Sequence, residues 1–181
     1  FFKSASFYLS DERFVALQSE DSNFKMIKSS LGKFISSNQI FKINGESKNF
    51  KSEAKRYGKI IPDKVDLVLL SVGEDGHIAS LFPKHKALKC NSKVTYLTNS
   101  PKSPSKRLTV TPKIILNAKN VLVMAKGKNK GNILAQALTS PLEINILPVR
   151  LTIGRTWVLD HEASYAFKQY NIKHTHNTKI I

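Results

Sequence analysis

The stretch VDLVLLSVGEDGHIASLFP, residues 65–83, joins an apolar run to a loop with two glycines, two acids and a histidine within five residues. The run from Val65 to Val72 is polar only at Asp66 and Ser71, which predicts a strand covered by helices on both sides. Polar groups directly behind a core strand destabilise a protein unless they cap a helix, bind a ligand or perform chemistry. The stretch therefore indicates both the fold class and the position of the functional site.

Further predicted strands and helices alternate along the chain. Short strands are predicted over Ala5–Leu9, Val94–Leu97, Leu108–Thr111, Val121–Met124 and Thr156–Leu159, the last strand of the chain. Helices are predicted over Phe24–Ile35 with Ser22 as N-cap, over Ser52–Ile60, from Pro112, after Gly127 and after Asp160. The alternation predicts one α/β domain over residues 1–181, with a mainly parallel, Rossmann-like sheet and helices on both faces.

Polar clusters follow several of these strands. They comprise Asp11–Arg13, Gly73–His77 and Gly127–Lys130, and a fourth cluster, Lys106–Arg107, precedes a strand. In open parallel sheets, functional groups gather beyond the carboxyl ends of the strands. We therefore expect these clusters to converge on one site.

The charge balance leaves three interpretations open. The chain has 29 Lys and Arg against 13 Asp and Glu, a net charge of +16. The lysines either fill a solvated surface, steer an anionic substrate to its site, or bind nucleic acid. No aromatic-rich RNA-binding strand or zinc-finger spacing supports the last interpretation, so nucleic acid is not the expected partner. Apolar runs are too short for a membrane span, and the single cysteine, Cys90, fits a reducing, cytoplasmic setting.

The loop at residues 73–77 has a chemical and a structural interpretation. Gly73 and Gly76 permit a tight turn, and His77 stands at a predicted helix start. A histidine there can act as a general base, with Asp75 either orienting its ring or binding a substrate hydroxyl. Alternatively, Asp75 caps the helix and His77 packs as a polar tip.

The segment GEDGHIASLFP resembles the signature of the 6-phosphogluconolactonase family, which shares its fold with the isomerases that act on glucosamine 6-phosphate. Three further blocks carry the resemblance in the same order: SDERFV with the later DSN, KRLTVTPKIILNAKNVLVMAKGKNK, and TWVLDHEAS. The isomerases continue their Asp-Gly-His loop with Asn-Glu-Pro, whose glutamate shuttles protons. Leu81-Phe82-Pro83 stands here instead, which favours the lactonase branch over a sugar-phosphate isomerase or deaminase.

The resemblance implies an activity and a set of site residues. The activity is hydrolysis of 6-phosphoglucono-δ-lactone, a step of the pentose phosphate pathway, with no cofactor and no metal. His77 would be the general base and Asp75 its catalytic partner. The substrate-binding residues would be Arg13, Gly73, Arg107 and Lys130, the last two at the 6-phosphate. The alternatives are an ion pair of Arg13 with Asp11 or Glu12, and solvated surface charges at Arg107 and Lys130.

One expected part of the family pattern is absent from the sequence. Family members usually begin with a further strand–helix unit, whose Ser-Gly-Gly-Ser-type loop holds the phosphate through backbone amides. These 181 residues lack that unit. The expectation is therefore either a chain truncated at its amino terminus or a shortened homologue with a weaker phosphate site.

Overall fold

A four-stranded parallel sheet forms the centre of the computed structural model, which describes residues 3–181. Its strands are β4 (Leu67–Ser71), β7 (Asn120–Ala125), β8 (Thr156–Leu159) and β9 (Lys179–Ile180), and they lie side by side in that order. All three pairings are parallel. The expected α/β class with a mainly parallel sheet is confirmed.

A second, antiparallel sheet lies beside the first and was not foreseen. It has the order β2–β6–β5, with β2 at Asp11–Arg13, β5 at Val94–Leu97 and β6 at Arg107–Val110. The interpretation of Asp11–Arg13 as a loop beyond a strand is wrong, because these residues pair with β6. Three charged residues lack an apolar pattern, and only pairing with a partner nearly a hundred positions away makes them a strand.

The described residues also form two further short strands and five α-helices. They are β1 (Phe7–Tyr8), β3 (Ile40–Phe41), α1 (Asn23–Leu31), α2 (Phe50–Ile60), α3 (Pro112–Asn117), α4 (Lys128–Thr139) and α5 (His161–Lys168). The expected caps are confirmed: the Ser22 side chain accepts the Lys25 amide hydrogen and Asp160 accepts that of Ala163. None of the helices in the described part of the chain is long and apolar enough to cross a bilayer.

Strand β4 is covered on one face only. Val68 and Leu70 of β4 are buried, whereas Leu67 is 55% exposed and Leu69 is 51% exposed. The expectation of helices over both faces of this strand is therefore wrong within the described residues. An all-apolar run predicts a buried strand, but the run alone does not determine which elements are present to cover it.

The last strand is also an addition to the expected topology. β9 pairs in parallel with β8, so the expectation that Thr156–Leu159 is the last strand is wrong. A two-residue strand gives no periodic signal, so its pairing could not be read from the pattern.

A buried acid fixes the antiparallel sheet against α1. Glu12 is 1% exposed, and its carboxylate accepts hydrogen bonds at 2.8 Å from the amides of Asn23 and Phe24. It also accepts the Ser22 hydroxyl at 3.1 Å and the Arg13 amide at 2.8 Å. A carboxylate at a helix amino terminus satisfies free N–H groups and favours the helix dipole.

Replacing this acid by its amide should destabilise the fold. We expect Glu12→Gln to lower the free energy of unfolding by about 2–4 kcal/mol, because a buried charged acceptor is lost and an amide donor is placed among donors. Urea unfolding followed by circular dichroism measures the change. Glu20→Gln, at a side chain that is 93% exposed, is the matched control and should alter stability by less than about 0.5 kcal/mol. Equal stability of the two variants would contradict the structural role of Glu12.

Candidate active site

A tight turn, and not a helix, follows strand β4. The Gly73 amide donates to the His77 carbonyl at 2.8 Å, the Gly76 amide donates to the Gly73 carbonyl at 3.0 Å, and Val72 bridges to Ile78. Gly76 has a φ of +79°, a conformation that L side chains rarely adopt. The expected helix start at His77 is wrong, because these bonds close the chain on itself. Asp75 therefore caps no helix.

The turn places the carboxylate of Asp75 against the imidazole of His77. Asp75 Oδ1 lies 2.5 Å from His77 Nδ1 and 3.4 Å from the His77 amide nitrogen. With Nδ1 donating to the carboxylate, the neutral ring carries its lone pair on Nε2. The His77 side chain is 17% exposed, so the ring is mostly enclosed yet reachable. The arrangement is that of an oriented general base.

The carboxylate of Asp75 is held in its ionised form. Burial raises its pKa, but the hydrogen bond with His77 and the positive charges of His77 and Lys102 outweigh burial and lower the pKa to about 2. The Lys102 Nζ lies 3.9 Å from the same Oδ1 that contacts the imidazole. Asp75 thus remains a charged acceptor over the whole neutral range.

Gly73 leaves the space that the imidazole occupies. A Cβ atom at this position would overlap the Cε1 and Nδ1 atoms of His77 and would lie 2.9 Å from Asp75 Oδ1. The amide of Gly73 is bonded within the turn. Any residue with a side chain would therefore displace the Asp75–His77 pair.

Arg107 and His77 both lie close to the ring of Phe82. The Phe82 ring is fully buried, with its centroid 4.5 Å from that of His77 and 5.5 Å from the Arg107 guanidinium carbon. Arg107 is only 4% exposed, so the alternative of a solvated surface charge is wrong for it. Its Nε and Nη2 donate to the carbonyls of residues 102–104 at 2.9–3.1 Å. Among the described residues, Nη1 has no hydrogen-bond partner.

Arg13 stands directly opposite Arg107 across the antiparallel strands. Like charges at opposed positions destabilise a sheet, and burial together with the charge of Arg13 lowers the pKa of Arg107. Arg13 donates from Nη1 to the Asp21 carbonyl at 2.6 Å, while its Nε is buried without a partner in the described part of the chain. Within residues 3–181, Arg13 forms no ion pair with Asp11 or Glu12. Two adjacent guanidinium groups with unfilled donors can hold an anion.

Lys130 lies next to the strand that leads into the turn. It lies in the first turn of α4, and its Nζ is 3.4 Å from the Ser71 Oγ, two residues before Gly73. The neighbouring Asn129 Nδ2 is 3.5 Å from the Glu74 carboxylate.

Two residues that contact the site were not expected from the sequence. Ser80, which is fully buried, donates its hydroxyl to Asp11 Oδ2 at 2.7 Å and so ties the loop to β2. Lys102 lies 3.9 Å from Asp75 Oδ1, and nothing in the sequence pattern indicated that approach. Across the described residues, no three His, Cys, Asp or Glu side chains cluster as a metal site requires.

Comparison with known proteins relates this geometry to a family. The profile of the glucosamine-6-phosphate isomerases and 6-phosphogluconolactonases matches residues 2–158. A curated 6-phosphogluconolactonase from Borreliella burgdorferi is 37% identical over 161 residues, covering 83% of this chain and 68% of the relative. The chain belongs to this family. The family prediction from the sequence is therefore confirmed.

Solved structures agree with the assignment. The 6-phosphogluconolactonase from Thermotoga maritima has a TM-score of 0.76 at 29% identity, covering 85% of this chain and 72% of that one. A monomeric glucosamine-6-phosphate deaminase reaches a TM-score of 0.79 at 20% identity, covering 91% and 76%, and at that identity it supports the shared fold alone. The relatives named as lactonases confirm the expectation that the chain is a hydrolase.

A methyl group at Gly73 tests whether the turn determines the position of the imidazole. We expect Gly73→Ala to push the His77 ring out of hydrogen-bond distance of Asp75 Oδ1, because the new Cβ would occupy the space of the ring. A crystal structure of the variant measures the Nδ1–Oδ1 distance. The matched control is Gly58→Ala, whose Cβ would meet only Val94 at 3.9 Å, and which should add up to about 1 kcal/mol of helix stability. An unchanged Asp75–His77 contact in Gly73→Ala would contradict this account.

Proposed function

We propose that this protein hydrolyses 6-phosphoglucono-δ-lactone to 6-phosphogluconate, the lactonase step of the pentose phosphate pathway, with His77 as general base. The observation that carries the proposal is the contact of 2.5 Å between Asp75 and the Nδ1 of His77. The names and identities of the relatives support the substrate. The single cysteine supports a cytoplasmic setting.

The reaction follows from the orientation of the imidazole. Nε2 of His77 removes a proton from water as the water oxygen attacks the lactone carbonyl carbon, and Asp75 stabilises the imidazolium that forms. The tetrahedral intermediate then collapses and breaks the bond between the carbonyl carbon and the ring oxygen. The proton held on His77 passes to that leaving oxygen. The products are a carboxylic acid, which ionises in water, and a free hydroxyl group.

Three cationic side chains take the remaining roles in the proposal. Arg13 stabilises the oxyanion of the intermediate; its Nε, which has no hydrogen-bond partner among the described residues, supports this role. Arg107, through its Nη1, and Lys130 bind the 6-phosphate as charge-assisted donors. Gly73 borders the substrate with bare main chain, because any side chain there would overlap the catalytic ring.

The isomerase and deaminase alternative finds no support in the loop. An isomerase needs a carboxylate to move protons between sugar carbons, and the position after the Asp-Gly-His loop is taken by Leu81, Phe82 and Pro83. Phe82 is fully buried and packs against the imidazole, which supports an apolar wall at this position. Lactone hydrolysis requires only an activated water.

The role of His77 is tested by removing its base. We expect His77→Gln to lower kcat/KM for the phosphorylated lactone by about 10²–10⁴-fold, the usual contribution of a positioned general base. The assay follows acid release at constant pH, with the spontaneous hydrolysis of the lactone subtracted. His161→Gln, at an exposed position that starts α5, is the control and should retain full activity. A His77→Gln enzyme with wild-type turnover would discard the mechanism.

The phosphate assignment is tested by comparing two substrates. Lys130→Met should lower kcat/KM for the phosphorylated lactone about ten- to a hundredfold and should leave unphosphorylated gluconolactone nearly unaffected, because one charge-assisted contact is lost. Lys128→Met removes an exposed charge from the same helix turn and is the control. Measurements at low and high salt separate a contact from general attraction by a net charge of +16, since long-range attraction fades with screening far more than a direct contact does. Equal losses for both substrates would show that Lys130 does not bind the phosphate.

A further inference from the structure

The loop before β6 places the ammonium group of Lys102 beside the Asp75–His77 pair. Lys102 Nζ lies 3.9 Å from Asp75 Oδ1, and the same oxygen lies 2.5 Å from His77 Nδ1. One carboxylate oxygen thus faces an ammonium group and an imidazole at once. The Lys102 side chain is 46% exposed, so its charge is only partly screened by solvent.

The backbone around Lys102 is fixed by hydrogen bonds. Arg107, buried below the loop, donates Nη2 to the Lys102 carbonyl at 3.1 Å. The Ser100 hydroxyl donates to that carbonyl at 3.0 Å and accepts the Lys102 amide at 3.2 Å. The Ser100 amide in turn donates to the Ser105 carbonyl at 2.9 Å. The backbone of Lys102 is therefore held in place beside the Asp75–His77 pair.

We propose that Lys102 is a positioning residue that tunes the base: through Asp75, it keeps His77 unprotonated to lower pH than the carboxylate alone would permit. A carboxylate beside an imidazole favours the charged imidazolium and so removes the base as the pH falls. A cation on the other side of the carboxylate opposes that effect. The proposed effect on the ionisation of His77 does not depend on the proposed function. Only the expected effect on catalysis rests on it.

Other charged groups also lie near His77 and contribute to the electrostatic potential at its ring. Glu74 and Asp75 contribute negative charge from the loop itself, and Lys130 on α4 reaches the adjoining strand at Ser71. The guanidinium carbon of Arg107 lies 5.5 Å from the Phe82 ring centroid, and Arg13 on β2 is paired with Arg107 on β6. In the described residues, Lys102 is the only one of these cations within 4.0 Å of Asp75.

The test is the titration of the His77 ring in the full folded chain. Two-dimensional NMR follows the ring protons of wild type and Lys102→Met, with His77→Gln used to identify the signal among the five histidines. We expect the midpoint of His77 to rise by about 0.5–1 pH unit in Lys102→Met, because the imidazolium loses a repelling charge. Lys102→Gln should give the same rise, and Lys102→Arg should restore the wild-type midpoint.

The matched control is Lys106→Met in the same loop. The Lys106 ammonium lies 5.5 Å from the Phe50 ring centroid. This variant removes the same unit of net charge and should move the midpoint by less than about 0.2 units. An unchanged midpoint in Lys102→Met, or a shift no larger than that of Lys106→Met, would overturn the proposal.

Kinetics separate this inference from the proposed function. The acid limb of kcat/KM for the phosphorylated lactone should move upward with the NMR midpoint in Lys102→Met, while the rate at high pH stays unchanged. A loss that is equal at every pH, with an unmoved midpoint, would mean that Lys102 contacts substrate and would refute the tuning role. If wild type does not hydrolyse the lactone, the proposed function fails, and the NMR midpoints still decide the role of Lys102.

Discussion

The space above Gly73 is the constraint on which the site depends. The turn that follows β4 closes when the Gly73 amide bonds to the His77 carbonyl, and the imidazole then lies where a side chain of residue 73 would stand. This packing brings Nδ1 against Asp75 and leaves Nε2 as the basic atom. The Phe82 ring covers the imidazole from another side. Backbone closure and the orientation of the imidazole thus both depend on the absence of a side chain at residue 73.

The electrostatics of the site are local and differ from the general basicity of the chain. A net charge of +16 spread over a lysine-rich surface attracts anions weakly and is screened by salt. Arg13 and Arg107 are instead held opposite each other in a sheet, with a buried Nε on Arg13 that has no partner in the described residues. Like charges at opposed positions destabilise a sheet, and an anion between the two guanidinium groups would offset their repulsion. Lys102 adds a third charge at a defined distance from Asp75.

Much of the fold was predictable because its strands are apolar and bounded by turn residues. Val94–Leu97 and Thr156–Leu159 were predicted with the observed bounds. β2 could not be predicted, because Asp11–Arg13 becomes a strand only through pairing with β6. The exposed Leu67 and Leu69 show that an apolar run does not reveal whether a cover is present.

The sequence could indicate which residues form the candidate site, but it could not indicate most of the contacts that they make. The adjacency of Asp75 and His77 in the chain already implied a contact. The hydrogen bonds of Arg107 to the 102–104 carbonyls depend on a loop shape that composition does not encode. Lys102 was missed for the same reason, because its approach to Asp75 is set by that loop.

The most direct test of the account compares two titrations of the wild-type protein. The pH dependence of kcat/KM for 6-phosphoglucono-δ-lactone, after subtraction of spontaneous hydrolysis, gives the midpoint of the group whose protonation stops the reaction. NMR gives the midpoint of the His77 ring in the same buffer. The account predicts one acid limb whose midpoint equals that of His77. Activity that stays constant through the pH range in which His77 becomes protonated would contradict it.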